Sequence, residues 1–278
     1  MSQNILSEEF TVNTSRHKLH GKRWNVAPAK AIVCIIHGFG EHLERYNFLA
    51  KQFNNHQISC YALDLPGHGK SEGKRGNIRS LNDYMLAIDA MYQEAINDNP
   101  EIPVVLYGHS MGGALVARYL LITKLAPEAA VITSPWLELV RSAGAVQTIL
   151  GQMAMVVGLN SSQKSNLNPE DLSRDRQVAI DYKADNLVHN QITPRTYFAL
   201  RDNGSYILNM EYELPCPVLL AHGDDDKITE TEASVKWAKR HPETITLKIW
   251  KGLRHETHNE LNKIEVIDFY AKWILDQV

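Results

Sequence analysis

Ser110 is the residue whose surroundings in the sequence point most directly to chemistry. It lies at the centre of a Gly-x-Ser-x-Gly pentapeptide, between the strand-like run 104–107 and the helix-like run 113–121. A strand, a tight turn and a helix in that order present a serine hydroxyl at the turn, and the glycines permit a close strand–helix contact that a Cβ would block. The amides at the start of the helix can then stabilise an oxyanion. A glycine-rich structural turn is the alternative, but the flanking strand and helix favour a nucleophile.

A serine hydroxyl needs a base to take its proton, and the base is usually a histidine that a carboxylate orients. After a nucleophile of this type, the acid comes next in the chain and the histidine comes last. Three adjacent acids follow the apolar run 218–221, at the end of a predicted buried strand: Asp224, Asp225 and Asp226. Only one of them can point at the histidine, and the other two are expected to serve turns and helix caps.

Two histidines are candidates for the base. His255 and His258 both lie between the strand-like run 246–250 and the last predicted helix. His255 is closer to the end of the strand, where open α/β sheets place their sites, so we favour it as the base. His258 is expected to cap or pack at the start of the helix. The alternative is that both are surface histidines.

An oxyanion formed at the serine needs two backbone N–H donors. Met111 follows the nucleophile and is predicted to supply one. The loop after the early strand 31–36 is predicted to supply the other, from Phe39. His37 in this loop and His109 beside the nucleophile are expected to be structural.

Composition limits the classes of function. The chain has 278 residues, of which 44% are hydrophobic, and a net charge of −3 without long runs of one sign. This balance gives no indication of a nucleic-acid partner. The first residues lack the basic and apolar regions of a signal peptide, which predicts a cytoplasmic protein. The three dispersed cysteines are expected to be buried thiols in a reducing compartment: Cys34, Cys60 and Cys216.

No cofactor motif is complete. A dinucleotide-binding fingerprint starting at Gly38 would need glycine where Leu43 stands, and a phosphate-binding loop ending at Ser71 would need glycine where Asp64 stands. No Cys/His spacing is typical of a zinc site. The sequence therefore predicts no metal and no organic cofactor, and it gives no indication of the oligomeric state.

The chain alternates between strand-like and helix-like stretches. The predicted strands are 31–36, 58–63, 104–107, 130–133, 218–221 and 246–250. The predicted helices are 43–53, 81–96, 111–123, 230–240 and 259–275. This alternation predicts an α/β fold with a mostly parallel sheet that helices cover on both faces. Two runs of alternating polarity, 9–13 and 19–25, fit an antiparallel hairpin at one edge.

The regular alternation stops after Trp136 and resumes near residue 198. We expect residues 1–136 and 198–278 to form the core domain and residues 137–197 to form an inserted helical cap. The cap contains the uncharged segment 143–159, which is shorter than the roughly 20 apolar residues of a membrane span. Its apolar side chains form a patch: Ile149, Leu150, Met153, Met155, Val156 and Val157.

These motifs together resemble the monoacylglycerol lipase-like α/β-hydrolases, whose bacterial members are often called lysophospholipases. The matching segments occur in the same order over nearly the whole chain: 37–42, 64–73, 108–113, 134–135, 172–175, 185–189, 255–256 and 259–260. The family has Gly-x-x-Asp after the late strand, and this pattern selects Asp226 among the three acids. The resemblance thus implies a triad of Ser110, Asp226 and His255, with Phe39 and Met111 as the oxyanion donors.

The resemblance also implies a mobile helical cap over an acyl tunnel, and a lipid ester as the substrate. Many members carry a small residue where Phe39 stands, so its ring is expected to narrow the acyl entrance. The apolar patch of the cap either lines the acyl channel and contacts lipid surfaces transiently, or forms the core of the cap itself. Alternative activities are those of a lysophospholipase, a general carboxylesterase and a proline-type aminopeptidase. A non-catalytic binding protein on the same fold is a further alternative.

Overall fold

The computed structural model describes residues 6–123, 126–141, 144 and 160–278. Its centre is an eight-stranded sheet in the order β1-β2-β4-β3-β5-β6-β9-β10. The strands are β1 Leu6–Asn13, β2 Lys18–Asn25, β3 Ala31–Ile36, β4 Ile58–Leu63, β5 Val104–His109, β6 Ala129–Thr133, β9 Val218–Gly223 and β10 Ile245–Trp250. A separate two-stranded ribbon contains β7 Gln163–Lys164 and β8 Gln191–Ile192. From β4 to β10 all neighbouring strands are parallel, whereas β1 and β2 form an antiparallel hairpin at one edge, as the sequence predicts.

Helices cover both faces of the sheet. They are α1 Asn47–Asn55, α2 Asn82–Asp98, α3 Met111–Ile122, α4 Arg176–Ala184, α5 Pro194–Asn209, α6 Thr231–Arg240 and α7 Lys263–Leu275. Alternate side chains of each strand belong to two separate cores: α1 and α7 pack on one face, and α2, α3 and α6 pack on the other. The strands are hydrophobic on both faces for this reason, which is typical of parallel sheets. The predicted α/β fold is confirmed, and the three cysteines are free and buried.

The helix starts differ from the predictions at two places. The predicted helix 43–53 begins as the 3-10 turn Leu43–Tyr46, and α1 follows it. The last helix was expected from residue 259 but begins at Lys263. Residues Thr257–Asn259 form a 3-10 turn instead, and Glu260 has an extended backbone. The carboxylate of Glu260 accepts hydrogen bonds from the Arg254 and Arg174 amides, which holds this residue outside the helix.

The predicted cap contains two short strands, β7 and β8, as well as helical segments. The expected boundary at residue 197 falls within α5, which runs without interruption from Pro194 to Asn209. This helix packs on α3, where the Asn203 side chain donates to the Ala114 carbonyl at 3.1 Å. The six apolar cap residues singled out above lie outside the described residues. In the described part of the chain, no helix is long and apolar enough to span a membrane.

The start of α3 lies unusually close to β3. A Cβ on Gly112 would lie 2.2 Å from the Ile36 carbonyl oxygen, which belongs to the backbone of the central sheet. We expect Gly112→Ala to lower the free energy of unfolding by about 3 kcal/mol, measured by urea denaturation, because neither backbone can move without disturbing the sheet.

Gly252→Ala is the control for this prediction. Gly252 has a φ of +72°, but its Cβ would meet no heavy atom closer than 3.9 Å. Its cost is therefore limited to backbone strain of about 1 kcal/mol. Equal losses in the two variants would contradict the packing argument.

Candidate active site

Ser110 occupies a strained turn between β5 and α3. Its φ of 55° and ψ of −117° lie outside the regions that residues with a Cβ prefer, a conformation that costs on the order of 1–3 kcal/mol. The turn is held by its backbone: the Ser110 amide donates to Thr133 O at 2.9 Å, and the Trp136 amide donates to Ser110 O at 2.9 Å. A Cβ on Gly108 would lie 2.5 Å from Gly112 O, so the two glycines of the pentapeptide allow this tight turn.

Asp226 is the acid that points at a histidine. Its Oδ2 lies 2.7 Å from Nδ1 of His255, in the buried turn after β9. Its Oδ1 accepts hydrogen bonds from the amides of Ile228 at 2.7 Å and Thr229 at 3.1 Å. The turn itself therefore fixes the carboxylate, and Asp226 and His255 lie together as expected.

The two neighbouring acids have other partners. Asp224 accepts a hydrogen bond from the Gly252 amide and so closes the turn beside β10. Asp225 is partly exposed and pairs with Lys227. The expectation of a turn role holds for Asp224, and neither acid caps α6, which begins after Glu230.

Electrostatics distinguish the two members of the buried pair. Burial alone would raise the pKa of Asp226, but the adjacent His255 and the hydrogen bonds that it accepts hold this pKa well below its usual range. For His255, burial alone would lower the pKa, but the Asp226 charge and hydrogen bond raise it above the ordinary histidine value. The pair can therefore hold a proton on His255 while Asp226 stays ionised.

Two hydroxyls hold the backbone around His255. The Ser134 hydroxyl donates to the His255 carbonyl at 2.8 Å. Thr229 Oγ1 lies 2.9 Å from Asp226 Oδ2 and 3.2 Å from Ser134 O, within donating distance of both. Neither hydroxyl was anticipated from the sequence, because both depend on contacts between separate loops.

The competing histidine is buried in the protein core. His258 stacks on Tyr46 with ring centroids 5.2 Å apart, and its Nδ1 lies 3.3 Å from the Tyr107 hydroxyl. Burial lowers its pKa to about 4. His109 hydrogen-bonds Thr133 Oγ1 at 3.0 Å, and burial holds its pKa well below the usual range. Both histidines are therefore neutral packing residues.

The backbone amides of the two predicted oxyanion donors are available to a ligand. Among the described residues, neither the Phe39 amide nor the Met111 amide has a hydrogen-bond partner. Hydrogen bonds of His37 hold the loop that carries Phe39. His37 Nε2 accepts from the Leu65 amide at 2.9 Å, so its Nδ1–H donates to Gly38 O at 2.8 Å. His37 thus has the structural role that the sequence suggests.

Ser110 and His255 line one cavity of about 830 Å³ between the sheet and the cap. This volume is within the range of small-molecule sites. Its described apolar walls are Phe39, Trp136, Leu139, Leu167, Leu172, Tyr182, Ile192, Tyr197, Phe198 and Ile228. The Phe39 ring packs edge-on against Trp136, with centroids 6.1 Å apart, and against His189 at 5.6 Å. The side chain expected to narrow the cavity is therefore held in place from two sides.

A buried ion cluster forms one polar part of the wall, next to His255. The Arg45 guanidinium pairs with both Glu256 oxygens, at 2.7 Å and 2.9 Å, and with Glu41. Tyr46 donates its hydroxyl proton to Glu41 at 2.7 Å, and the guanidinium lies 4.9 Å from the centre of the Tyr182 ring. Burial raises the pKa of Glu256, but Arg45 outweighs it and lowers this pKa to about 2.

The loop that carries His255 is bound to the segment 172–174 of the cap. The Glu256 amide donates to Leu172 O at 2.7 Å. The fully buried Glu260 carboxylate pairs with Arg174 Nε at 2.8 Å and also accepts from the Arg254 amide at 2.7 Å. This arrangement accounts for the arginine in the segment 172–174 and for the glutamate that follows the His255 loop.

The other end of the cap rests on the loop of Phe39. His42 Nε2 lies 2.7 Å from Asp185, just after α4, and the His189 amide donates to Gly40 O at 2.8 Å. A Cβ on Gly40 would lie 2.3 Å from His189 O, and its φ is +77°. Only glycine allows the cap to approach this closely.

Of the five residues predicted for catalysis, Ser110, His255 and Phe39 line one cavity, and Asp226 pairs with His255. Met111 follows Ser110 at the start of α3, and the structure adds other residues to the site. Sequence analysis did not single out Arg45, His222 or Thr229. The spacing of Glu41 and Arg45, four residues apart directly after the Phe39 loop, was an available signal for an ion pair. The sequence contained no comparable signal for His222 or Thr229.

We expect Arg45→Met to lower the free energy of unfolding by about 3–5 kcal/mol, because it leaves two buried carboxylates without a compensating cation. Urea denaturation measures the change. Lys183→Met is the control, since Lys183 and its partner Glu170 are each 54% exposed, and it should leave stability nearly unchanged. Equal effects of the two substitutions would contradict this account.

Comparisons with known proteins agree with this geometry. Over 251 residues the chain is 33% identical to an abhydrolase domain-containing protein of Dictyostelium discoideum, a match that covers 89% of this chain but only 26% of that protein. It is 32% identical to a monoacylglycerol lipase of Mycolicibacterium smegmatis over 90% of this chain and 89% of that protein. The crystal structure of Paleococcus ferrophilus monoacylglycerol lipase superposes with a TM-score of 0.84 at 29% identity, covering 94% of this chain and 99% of that one.

The family match covers the fold and the site together. Residues 27–262 match the family described as serine aminopeptidase, S33. This range includes the strained serine, the acid after β9 and the histidine after β10. The chain is therefore an α/β-hydrolase that belongs to the serine aminopeptidase S33 family.

Proposed function

We propose that this chain hydrolyses carboxylic esters of lipids, with monoacylglycerols as its principal substrates. The observation that carries the proposal is the cavity, in which Ser110 and His255 lie near apolar side chains and a buried polar cluster, while further polar residues line other parts of the wall. A monoacylglycerol has the matching division into a long apolar chain and a small polyol. The names of the relatives from M. smegmatis and P. ferrophilus support the same substrate class.

In the proposed reaction, Ser110 Oγ attacks the ester carbonyl carbon while His255 accepts the hydroxyl proton. Asp226 orients His255 through Nδ1 and stabilises the charged imidazolium. The amides of Phe39 and Met111 donate to the tetrahedral oxyanion, an effect of about 2.7–4 kcal/mol for each donor. His255 then protonates the leaving alcohol, which departs as glycerol and leaves an acyl-enzyme. Water, deprotonated by His255, releases the fatty acid and restores Ser110.

The polar cluster supplies a place for the glycerol group. Glu41, Arg45 and Glu256 line the cavity next to His255, the residue that protonates the leaving alcohol. Arg45 offsets one of the two carboxylate charges, and the cluster keeps donors and acceptors for hydroxyl groups. The narrowing of the acyl entrance by Phe39 stays a prediction.

The proposal also includes the cap. Ile149, Leu150, Met153, Met155, Val156 and Val157 are proposed to line the acyl channel and to give transient contact with lipid surfaces in the cytoplasm. Equal binding to liposomes by cap variants and the unaltered protein would remove the lipid-surface part of this proposal.

A lysophospholipid is the second candidate substrate. Leu139 pairs with Thr229 in an isolated antiparallel bridge, and this register places Arg141 opposite Lys227. Both side chains line the cavity, and Arg141 has no ion-pair partner among the described residues. Two cations at the wall could attract a phosphate group. Lys227 is already paired with Asp225, which favours the uncharged glycerol substrate.

An aminopeptidase activity has less support. Recognition of a free amine would need an unpaired carboxylate cluster in the cavity, but Glu41 and Glu256 are both paired with Arg45. Of the two neighbouring acids, Glu170 pairs with Lys183 at 2.6 Å. Asp171 is the one that lines the cavity.

The first test compares hydrolysis of monooleoylglycerol, lysophosphatidylcholine, a short-chain nitrophenyl ester and a proline nitroanilide. We expect the highest kcat/KM on monooleoylglycerol and a loss of about 10⁴-fold or more in Ser110→Ala, because the nucleophile is missing. Ser205→Ala, at an exposed position on α5, is the control.

Faster hydrolysis of lysophosphatidylcholine would favour the second candidate, and activity on the short ester alone would indicate a general esterase. Full activity in Ser110→Ala would overturn the proposal.

The second test is the pH dependence of kcat/KM. His255 must be neutral to act as a base, and its pKa is raised above the ordinary value, so activity should fall as the pH drops through a midpoint above about 6.5. In Asp226→Asn the charge is lost, burial dominates and the midpoint should move to lower pH, with a rate loss of about 10⁴-fold. Asp224→Asn is the control and should keep the original midpoint. A wild-type midpoint below the ordinary histidine value would contradict this assignment.

A further inference from the structure

His222 is a second histidine on the Asp226 carboxylate. It lies near the end of β9, and its side chain is 0% exposed. Its Nε2 lies 3.0 Å from Asp226 Oδ2, and its Nδ1 lies 2.8 Å from the Ser234 hydroxyl on α6. Asp226 thus lies between two histidines, only one of which reaches the cavity with Ser110.

The hydrogen bonds define the protonation of His222. The Asp226 carboxylate is ionised and can only accept, so Nε2 of His222 carries the proton and donates it. In the neutral ring, Nδ1 is then an acceptor, and the Ser234 hydroxyl donates to it. Asp226 therefore selects the tautomer of His222, and the Ser234 hydroxyl satisfies the other ring nitrogen and holds the ring in place.

The two histidines share one oxygen atom. Asp226 Oδ2 contacts His255 Nδ1 at 2.7 Å, Thr229 Oγ1 at 2.9 Å and His222 Nε2 at 3.0 Å. Each donor stabilises part of the negative charge on this oxygen. A donor from His222 therefore weakens the attraction of the same oxygen for a proton on His255, and it also prevents the carboxylate from turning away.

We propose that His222, held by Ser234, is a positioning residue that fixes Asp226 against His255 and limits how strongly this carboxylate attracts the His255 proton. This inference rests on the proposed function of His255 as the catalytic base. His222 contacts neither the cavity nor Ser110 in the described structure, so it acts only through Asp226.

Other groups also face His255 and must stay constant in a test. Glu256 and Glu41 carry negative charges that Arg45 compensates. His109 lies with its ring centroid 4.8 Å from that of His255, and it is neutral. Substitutions at His222 and Ser234 leave all of these groups in place.

The decisive variant is His222→Phe, which keeps a planar ring but removes the donor to Asp226. We expect the acid midpoint of kcat/KM to rise by about 0.5–1 pH unit, because the carboxylate then attracts the His255 proton more strongly. We also expect kcat to fall about tenfold at little cost in KM, because Asp226 is less firmly positioned. His222→Gln retains a donor and should restore most of both values.

Two further measurements keep the test decisive. Ser234→Ala removes one oxygen atom and should move the midpoint in the same direction by a smaller amount, even if His222→Phe does not fold. His241→Phe is the matched control, since His241 lies at the far end of α6 and stacks on Tyr212, and it should leave the midpoint unchanged. An unchanged midpoint in Ser234→Ala and in the folded His222→Phe protein would overturn the inference, whatever happens to the rate.

Nuclear magnetic resonance separates this inference from the proposed function. The titration of His255 can be followed directly in the Ser110→Ala protein, with and without His222→Phe. A higher pKa of His255 in the double variant supports the role of His222 even if no ester is hydrolysed. Absence of hydrolysis by the unaltered protein would then count against the proposed function alone.

Discussion

The arrangement of the site depends on the burial of the Asp226 carboxylate. A carboxylate removed from water is costly unless the protein supplies donors to its oxygens. Here two amides of its own turn, the Thr229 hydroxyl and two histidines surround it. These donors come from β9, from the turn after it and from the loop after β10. The hydrogen bonds to the Asp226 carboxylate therefore hold three parts of the chain together. Because His255 uses Nδ1 for its contact, its Nε2 is directed away from the acid.

A second buried charge has a different effect. Arg45 lies between Glu41 and Glu256, and it connects the loop of Phe39 with the loop of His255. A buried ion pair adds little net stability because desolvation offsets its attraction, but removal of one partner is expensive. The cluster therefore contributes geometry more than stability. It holds the loop of the predicted oxyanion donor next to the loop of the predicted base, although 216 positions separate Phe39 from His255 in the sequence.

Much of the fold could be predicted because parallel strands are buried on both faces. The run 31–36 is apolar at every position, and its neighbours in the sheet are almost as uniform. The turn at Ser110 was predictable because only a strand, glycines and a helix allow it. The contacts of His222 with Asp226 and of Arg45 with Glu256 were not predictable, because tertiary packing alone brings these residues together. The start of α7 was misplaced for a similar reason: Glu260 is bound by the Arg254 amide of the preceding loop and by the Arg174 amide of a distant segment rather than by its own helix.

The anchoring of Leu172 and Arg174 has a consequence for the catalytic cycle. The amide of Glu256 and the carboxylate of Glu260 hold this segment, and both flank His255. Under the proposed mechanism, a displacement of the segment would disturb the loop that carries the histidine expected to accept and return the serine proton. The proposed mechanism therefore requires the segment 172–174 to stay in place from substrate arrival to product departure. Any opening that admits a substrate is then expected at other parts of the cavity rim, with this segment as its fixed side.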